Sequence, residues 1–294
     1  PPPRPTSNLI RICTLILLQL SSHRPFCTSL NAPFTTHLPV DLPLFTGTHS
    51  DLLVVTMARM SRAYPDLSFL IILCNASPYF RGLTLTASSK IVRLIEYHAA
   101  RVFVAGEPER LRCLVEVLDN IVQYQWVGNE NFAYSLVRSR AVFERLMKGP
   151  EDEAWKELWE KTERKLRKDG SLDLLASPTP PTSSDITALQ SSLRLHTVAS
   201  LLSDVVPRVQ SLVSSRSGAV DERDILLYVS TLTVVGVLPV PHAIVVRRFG
   251  GGDEEGGSEW LTCYVWSVVF LRVRWPVWDG GTVELFKVDT GEAS

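Results

Sequence analysis

The chain has 294 residues, 45% of them hydrophobic and 21% charged, with a formal net charge of -1. That apolar fraction supports a sizeable core in one large or two small domains and excludes a disordered acidic tail. The balanced charge excludes a surface built to neutralise a phosphate backbone, so nucleic acid is not an expected partner.

In chain order, the first predicted element is Leu9 to Leu20, an apolar run that is short and carries Arg11. A membrane span needs ~20 apolar residues, so this run reads as a core helix. The next opens at LFTGTHSDLLVV, residues 44 to 55. Thr48 and Asp51 stand in the Ser/Thr-x-x-acid relation of a capping box, which stabilises a helix start by roughly 1 kcal/mol. The alternative is a catalytic His49–Asp51 pair, but side chains two residues apart diverge on a helix. Behind the cap, Leu53, Met57, Met60 and Tyr64 fall on one face, and Pro65 stops or bends the helix.

Ile91, Leu94, Ile95, His98 and Val102 form a second stripe; Leu111, Leu114, Val115, Leu118, Ile121 and Val122 form a third. Pro108 suits the first turn of the third helix, where its missing N–H has no intrahelical role, and Gly128-Asn129 punctuates the end. A further stretch with Phe132, Leu136, Phe143 and Met147 weakens around Ser139 and closes at Gly149-Pro150. EDEAWKELWEKTERKLRKDG, starting at Glu151, reads as a charged helix with acids first and bases last, as the macrodipole favours. Trp155, Leu158, Trp159, Thr162 and Leu166 are its apolar edge, and Glu157–Lys161 and Glu160–Arg164 are spaced for ion pairs. SPTPPTSSD, residues 177 to 185, reads as a linker or exposed loop.

Helical spacing resumes with Leu195, Val198, Leu202, Val205, Val209 and Leu212, where Pro207 should kink the helix or start another. Asp221 is placed to cap the next, which carries Ile225, Val229, Leu232 and Val235. Ile225 to Val246 is long enough to cross a membrane, but Pro239 and Pro241 break it near Leu238, which points to a buried helix. After Pro241, AIVVRRF and TVELFKV alternate as strands do, while WLTCYVWSVVFLRV fits either period. The fold expected from these elements is mainly α, an irregular armadillo- or HEAT-like stack with a small C-terminal β-meander. Its parts are a helical stack at 1–149, the charged helix and linker at 150–186, and helices plus the β tail at 187–294.

Little in this chain has the spacing of chemistry. His98 lies on an apolar stripe, where a core histidine with a backbone partner is the plain reading and a base in a pocket the sharper one. His23, His37, His196 and His242 are scattered without metal-ligand spacing. The glycines from Gly250 to Gly257 enclose Asp253, Glu254 and Glu255, which repel phosphate. Five cysteines, Cys13, Cys27, Cys74, Cys113 and Cys263, include no Cys-x-x-Cys, pointing to a reducing compartment and away from zinc. No cofactor is expected. Trp260, Trp266, Trp275 and Trp278, with Arg247, Arg248, Arg272 and Arg274, are either a small terminal core or a partner-docking surface.

LPVPH at Leu238 to His242, followed by AIVVRRF, CYVWSVVFLRV, PVW and VELFKV, resembles the C-terminal end of the high-temperature-induced dauer-formation protein family, relatives of dymeclin. LPVDLPLFTGTHSDLLVV, NASPYFRGLT, NIVQY and QWVGNENFAYSLVRSRAVFERL agree with it in the same order, from about Asn8 to Val288. The segment 148–187 and the GGGDEEGG loop depart from the family pattern. The chain begins at Pro1 without a signal sequence, and family members extend well upstream, many from a myristoylatable glycine. The resemblance therefore implies a C-terminal fragment or truncated gene model of a helical peripheral Golgi protein. It implies a place in the cytoplasm and on the cytosolic face of Golgi membranes. It also implies a role with other trafficking proteins at the trans-Golgi network, membrane attachment through the absent upstream part, and no catalytic residues. An enzyme built on His98 or His49–Asp51, and an integral protein spanning 225–246, are the competing readings.

Overall fold

A computed structural model describes residues 7–35, 47–64, 66–104, 108–168, 179–215 and 221–248, together with Ser267. Two compact units divide the chain, Pro1–Arg248 and Phe249–Ser294, and of the second only Ser267 is described.

Twelve α-helices follow one another among the described residues: α1 Ser7–Ser21, α2 Arg24–Ser29, α3 His49–Ala63, α4 Ser68–Ala76, α5 Leu85–Arg101, α6 Pro108–Tyr124, α7 Glu130–Arg138, α8 Arg140–Leu146, α9 Glu153–Lys168, α10 Ser183–Ser192, α11 His196–Ser215 and α12 Glu222–Thr231. A single 3-10 turn, Ser77–Tyr79, extends α4. α4 lies at the centre, touching α1, α2, α3 and α6; α5 packs on α3, α6, α7 and α9, and α11 and α12 close on α7. One continuous apolar core runs from Leu18 to Val229.

The element that sequence periodicity missed is the central one. α4 reads SFLIILCNA, with Phe69, Leu70, Ile72, Leu73, Cys74 and Ala76 all buried. A helix surrounded by other helices needs no polar face, so its sequence has no 3.6-residue alternation to detect. α10 was also missed. The linker read at SPTPPTSSD ends inside it, because Thr182 and Asp185 form a second capping box. Trp155 and Leu166 anchor the apolar edge of α9, with Phe103 edge-on to Trp155 at 5.8 Å. The Glu160–Arg164 pair forms at 3.9 Å. α7 and α8 part at Ser139, and α11 runs through Pro207 as one helix.

The expected β-meander is overturned where it can be seen: no β-strand occurs among the described residues. Residues 243–248 of AIVVRRF are extended, as their β-branched side chains favour, but their backbone meets helix side chains instead of a neighbouring strand. Ser267, in the segment that fits either period, is helical; the rest of that segment and TVELFKV lie outside the described residues. α12 ends at Thr231, short of the expected Leu238. A turn follows in which the Val234 carbonyl accepts from the N–H of Val237 and Leu238, with Gly236 at φ 81°. Val235, expected on the apolar stripe, is 87% exposed. None of the described helices is long and apolar enough to cross a membrane.

Candidate functional site

The His49–Asp51 pair is separated by the fold. α3 begins at His49 because Thr48 accepts from the Asp51 N–H while Asp51 accepts from the Thr48 N–H at 2.8 Å, the reciprocal capping box. Asp51 is fully buried, and its other oxygen accepts from the N–H and hydroxyl of Thr84, at 2.8 and 2.9 Å. Thr84 in turn caps α5. One carboxylate therefore joins two helix N-termini, where the partial positive charges of both helices favour it. His49 turns away and meets the edge of Phe34, 5.2 Å between ring centres.

His98 is buried on α5, and its Nε2 has no hydrogen-bond partner. Burial lowers its pKa to about 4, reinforced by Arg110, Arg101 and Arg62. A base poised for neutral pH sits near 7, so this imidazole is held as a neutral core group. Burial likewise raises the Cys113 thiol to about 11 and that of Cys74 well above its ordinary value. Both stay protonated, whereas a nucleophilic cysteine needs a depressed pKa. Among the described residues no group of three or more His, Cys, Asp or Glu side chains could hold a metal ion.

Polar side chains do converge elsewhere, around the backbone of residues 74–83. The end of α4 and the connection after it are mostly buried, with Ser77, Phe80 and Leu83 inaccessible and Arg81 and Gly82 exposed, and buried peptide groups beyond the last helical turn need partners. Asparagines supply them. Asn31 donates to the Tyr79 carbonyl at 2.8 Å and accepts from the Arg81 N–H at 3.0 Å. Asn129 accepts from the Leu83 N–H at 2.9 Å and donates to the Phe80 carbonyl at 2.8 Å. Asn120 donates to the Ser77 hydroxyl at 2.9 Å, and Gln125 to the Pro78 carbonyl at 2.8 Å. NASPYFRGLT and NIVQY, separate motifs in the sequence, thus meet in space.

Beside this loop, the end of α6 holds the extended segment. Gln123 accepts from the His242 N–H at 3.3 Å, and the Tyr124 hydroxyl donates to the His242 carbonyl. Asn75 exchanges two hydrogen bonds of 2.8 Å with the backbone of Arg247. The Arg247 guanidinium grips Glu116 through both oxygens, at 2.8 and 2.5 Å. Burial tends to raise the Glu116 carboxyl, but hydrogen bonds from Arg247 and Cys74 outweigh it and leave the pKa below its ordinary value. Of the docking residues named from the sequence, Arg247 is thus engaged internally and Arg248 is exposed. Trp260, Trp266, Trp275 and Trp278 lie outside the described residues.

One acidic side chain stands without this support. Asp119, on α6, is buried, and neither carboxyl oxygen meets a donor in bonding geometry. Burial pushes its pKa to about 8, with Arg194 pulling down, Glu116 pushing up and the Thr197 hydroxyl pulling down. Clefts occur elsewhere among the described residues. A shallow one of about 250 Å³ between α5 and α7 is lined by Ser89, Arg93, Glu96, Ser135 and Arg138 among others, and one of about 590 Å³ borders α9 alone.

These polar groups serve backbone and caps, a pattern that leaves identity to comparison with known proteins. The family model for dymeclin, described as the Dyggve-Melchior-Clausen syndrome protein, matches residues 3–268. The chain belongs to the dymeclin family. Protein HID1 of Mus musculus is 29% identical, covering 96% of this chain and 47% of its own length. Protein HID1 of Dictyostelium discoideum is 31% identical over 48% of this chain and 16% of its own length. The Ubp5-interacting protein ftp105 of Schizosaccharomyces pombe is 26% identical over 63% of this chain and 21% of its own length. This dymeclin-family chain spans about half the length of the mouse relative it matches. No solved structure matches it.

Proposed function

We propose that this chain is the C-terminal part of a non-enzymatic peripheral scaffold on the cytosolic face of Golgi membranes, acting in vesicle trafficking at the trans-Golgi network. Membership of the dymeclin family along residues 3–268 carries the reading. The geometry supports it: Asp51 and His98, the residues best suited to catalysis by sequence, are a double cap and a neutral core group. The yeast relative is named for an interaction with a protein, which fits a scaffold. Membrane attachment belongs to the part upstream, and Trp260, Trp266, Trp275, Trp278 and Arg248 are the candidate residues for docking trafficking partners.

The test joins the chain to its upstream coding sequence and follows the tagged product in secretory cells. It should overlap a trans-Golgi marker and leave the membrane pellet on alkaline carbonate extraction. A diffuse distribution counts against the Golgi role, and retention in the pellet against peripheral attachment.

A further inference from the structure

The extended segment 239–248 rests on the rest of its unit in an unusual way. None of its side chains belongs to the buried core, and Val240, Val245 and Val246 are 90%, 50% and 40% exposed. It has no strand partner among the described residues. It is held at two points, His242 and Arg247, and main-chain atoms provide most of the anchors: the His242 N–H and carbonyl and both peptide groups of Arg247. Two side chains are also met: the Arg247 guanidinium, by Glu116 and by the Cys74 sulfur at 3.0 Å, and the His242 ring, edge-on to Tyr124 at 6.2 Å. Because Gln123 and Tyr124 hold His242 while Glu116 holds Arg247, the segment runs antiparallel to α6. Main-chain readout plus one side-chain pocket is how folded domains hold extended peptides.

We propose that the α4–α6 face formed by Asn75, Glu116, Gln123 and Tyr124 is a peptide-binding site, filled in this chain by its own residues 242–247. Its ligand class is an extended peptide that carries an arginine five residues beyond its first main-chain anchor. Val245 and Val246, between the anchors, are largely exposed, so the site leaves their identity open, while Ile244 is half-buried. The arginine is obligatory, because an occupant without it leaves the Glu116 carboxylate, 15% exposed, without its bidentate partner. Docking with little apolar burial places this segment at the low-stability end of the molecule, where opening is frequent and exchange with a competing peptide is open.

The experiment titrates a fluorescent peptide of residues 239–248 against the full chain and reads anisotropy. Wild-type chain, whose site is filled, should bind weakly. The Arg247→Ala chain should bind at least about tenfold more tightly, as expected when a self-ligand loses a charge-assisted anchor. That gain should vanish with Glu116→Ala added, or when the peptide itself carries Arg247→Ala. Equal binding by wild-type and Arg247→Ala chains, or indifference to the peptide arginine, overturns the proposal. Should Arg247→Ala not fold, wild-type chain decides: excess peptide must speed hydrogen exchange at the Arg247 amide, and unchanged exchange overturns the site.

Discussion

Asp51 shows how far a single side chain can determine local architecture. Its oxygens accept from Thr48 and Thr84, so Asp51→Ala removes partners at the starts of both α3 and α5. The expected loss is about 2–4 kcal/mol, the sum of two caps and the unsatisfied donors left behind, measured by urea unfolding. Gly47→Ala should also destabilise, because the added methyl would sit 2.7 Å from an Asp51 oxygen that has no room to retreat. Asp119 gives the opposite sign. Its folded pKa of about 8 lies above the ordinary 3.8, so its contribution is fully present below about pH 3.8 and is lost as pH rises through about 8. Asp119→Asn should therefore be more stable than wild type near pH 8, with the difference shrinking toward pH 4 in paired unfolding curves. His98 acts on the acid side. With a folded pKa of about 4 against 6.5, its contribution is present above pH 6.5 and falls away toward pH 4, a loss that His98→Leu should lessen.

Among the elements, those closed by local signals were legible and those closed by distant ones were not. Thr48 with Asp51, Pro108 at the head of α6 and Asp221 before α12 act within a few residues of themselves, and each marks its helix start in the sequence. Thr182 with Asp185 is the same signal, masked by the preceding prolines that made the stretch read as a linker. Thr182→Ala should cost about 1 kcal/mol and speed hydrogen exchange in α10. Neither α4 nor the asparagine partners of residues 74–83 could be read this way. Asn129 acts on Leu83 and Arg247 on Glu116, pairings that no spacing rule anticipates. A strand was expected at residues 243–248 because their β-branched alternation is a local signal, whereas the helix side chains that hold their backbone lie far off in sequence. In α9, Trp155 joins a highly charged helix to the core, and Trp155→Ala should cost about 3–5 kcal/mol by thermal or urea unfolding.

The whole first unit shares one core, from α1 through α12. Leu114, fully buried on α6, should therefore act globally: Leu114→Ala is expected to cost about 2–5 kcal/mol and to raise hydrogen exchange in α1, α7 and α11 together. A response confined to the immediate neighbours of α6 would mean that the helices unfold piecemeal, as repeats in a solenoid can. The buried loop at 77–83 has a further consequence for how the chain is made. A ribosome delivers that loop well before Gln125 and Asn129, which bond its Pro78 and Phe80 carbonyls and its Leu83 N–H. While α5 and α6 are still being translated, Asn31 can already serve Tyr79 and Arg81, but the Pro78 and Phe80 carbonyls and the Leu83 N–H have only water to bond. The first half therefore cannot settle vectorially from its N-terminus, and closure must wait until α7 has emerged.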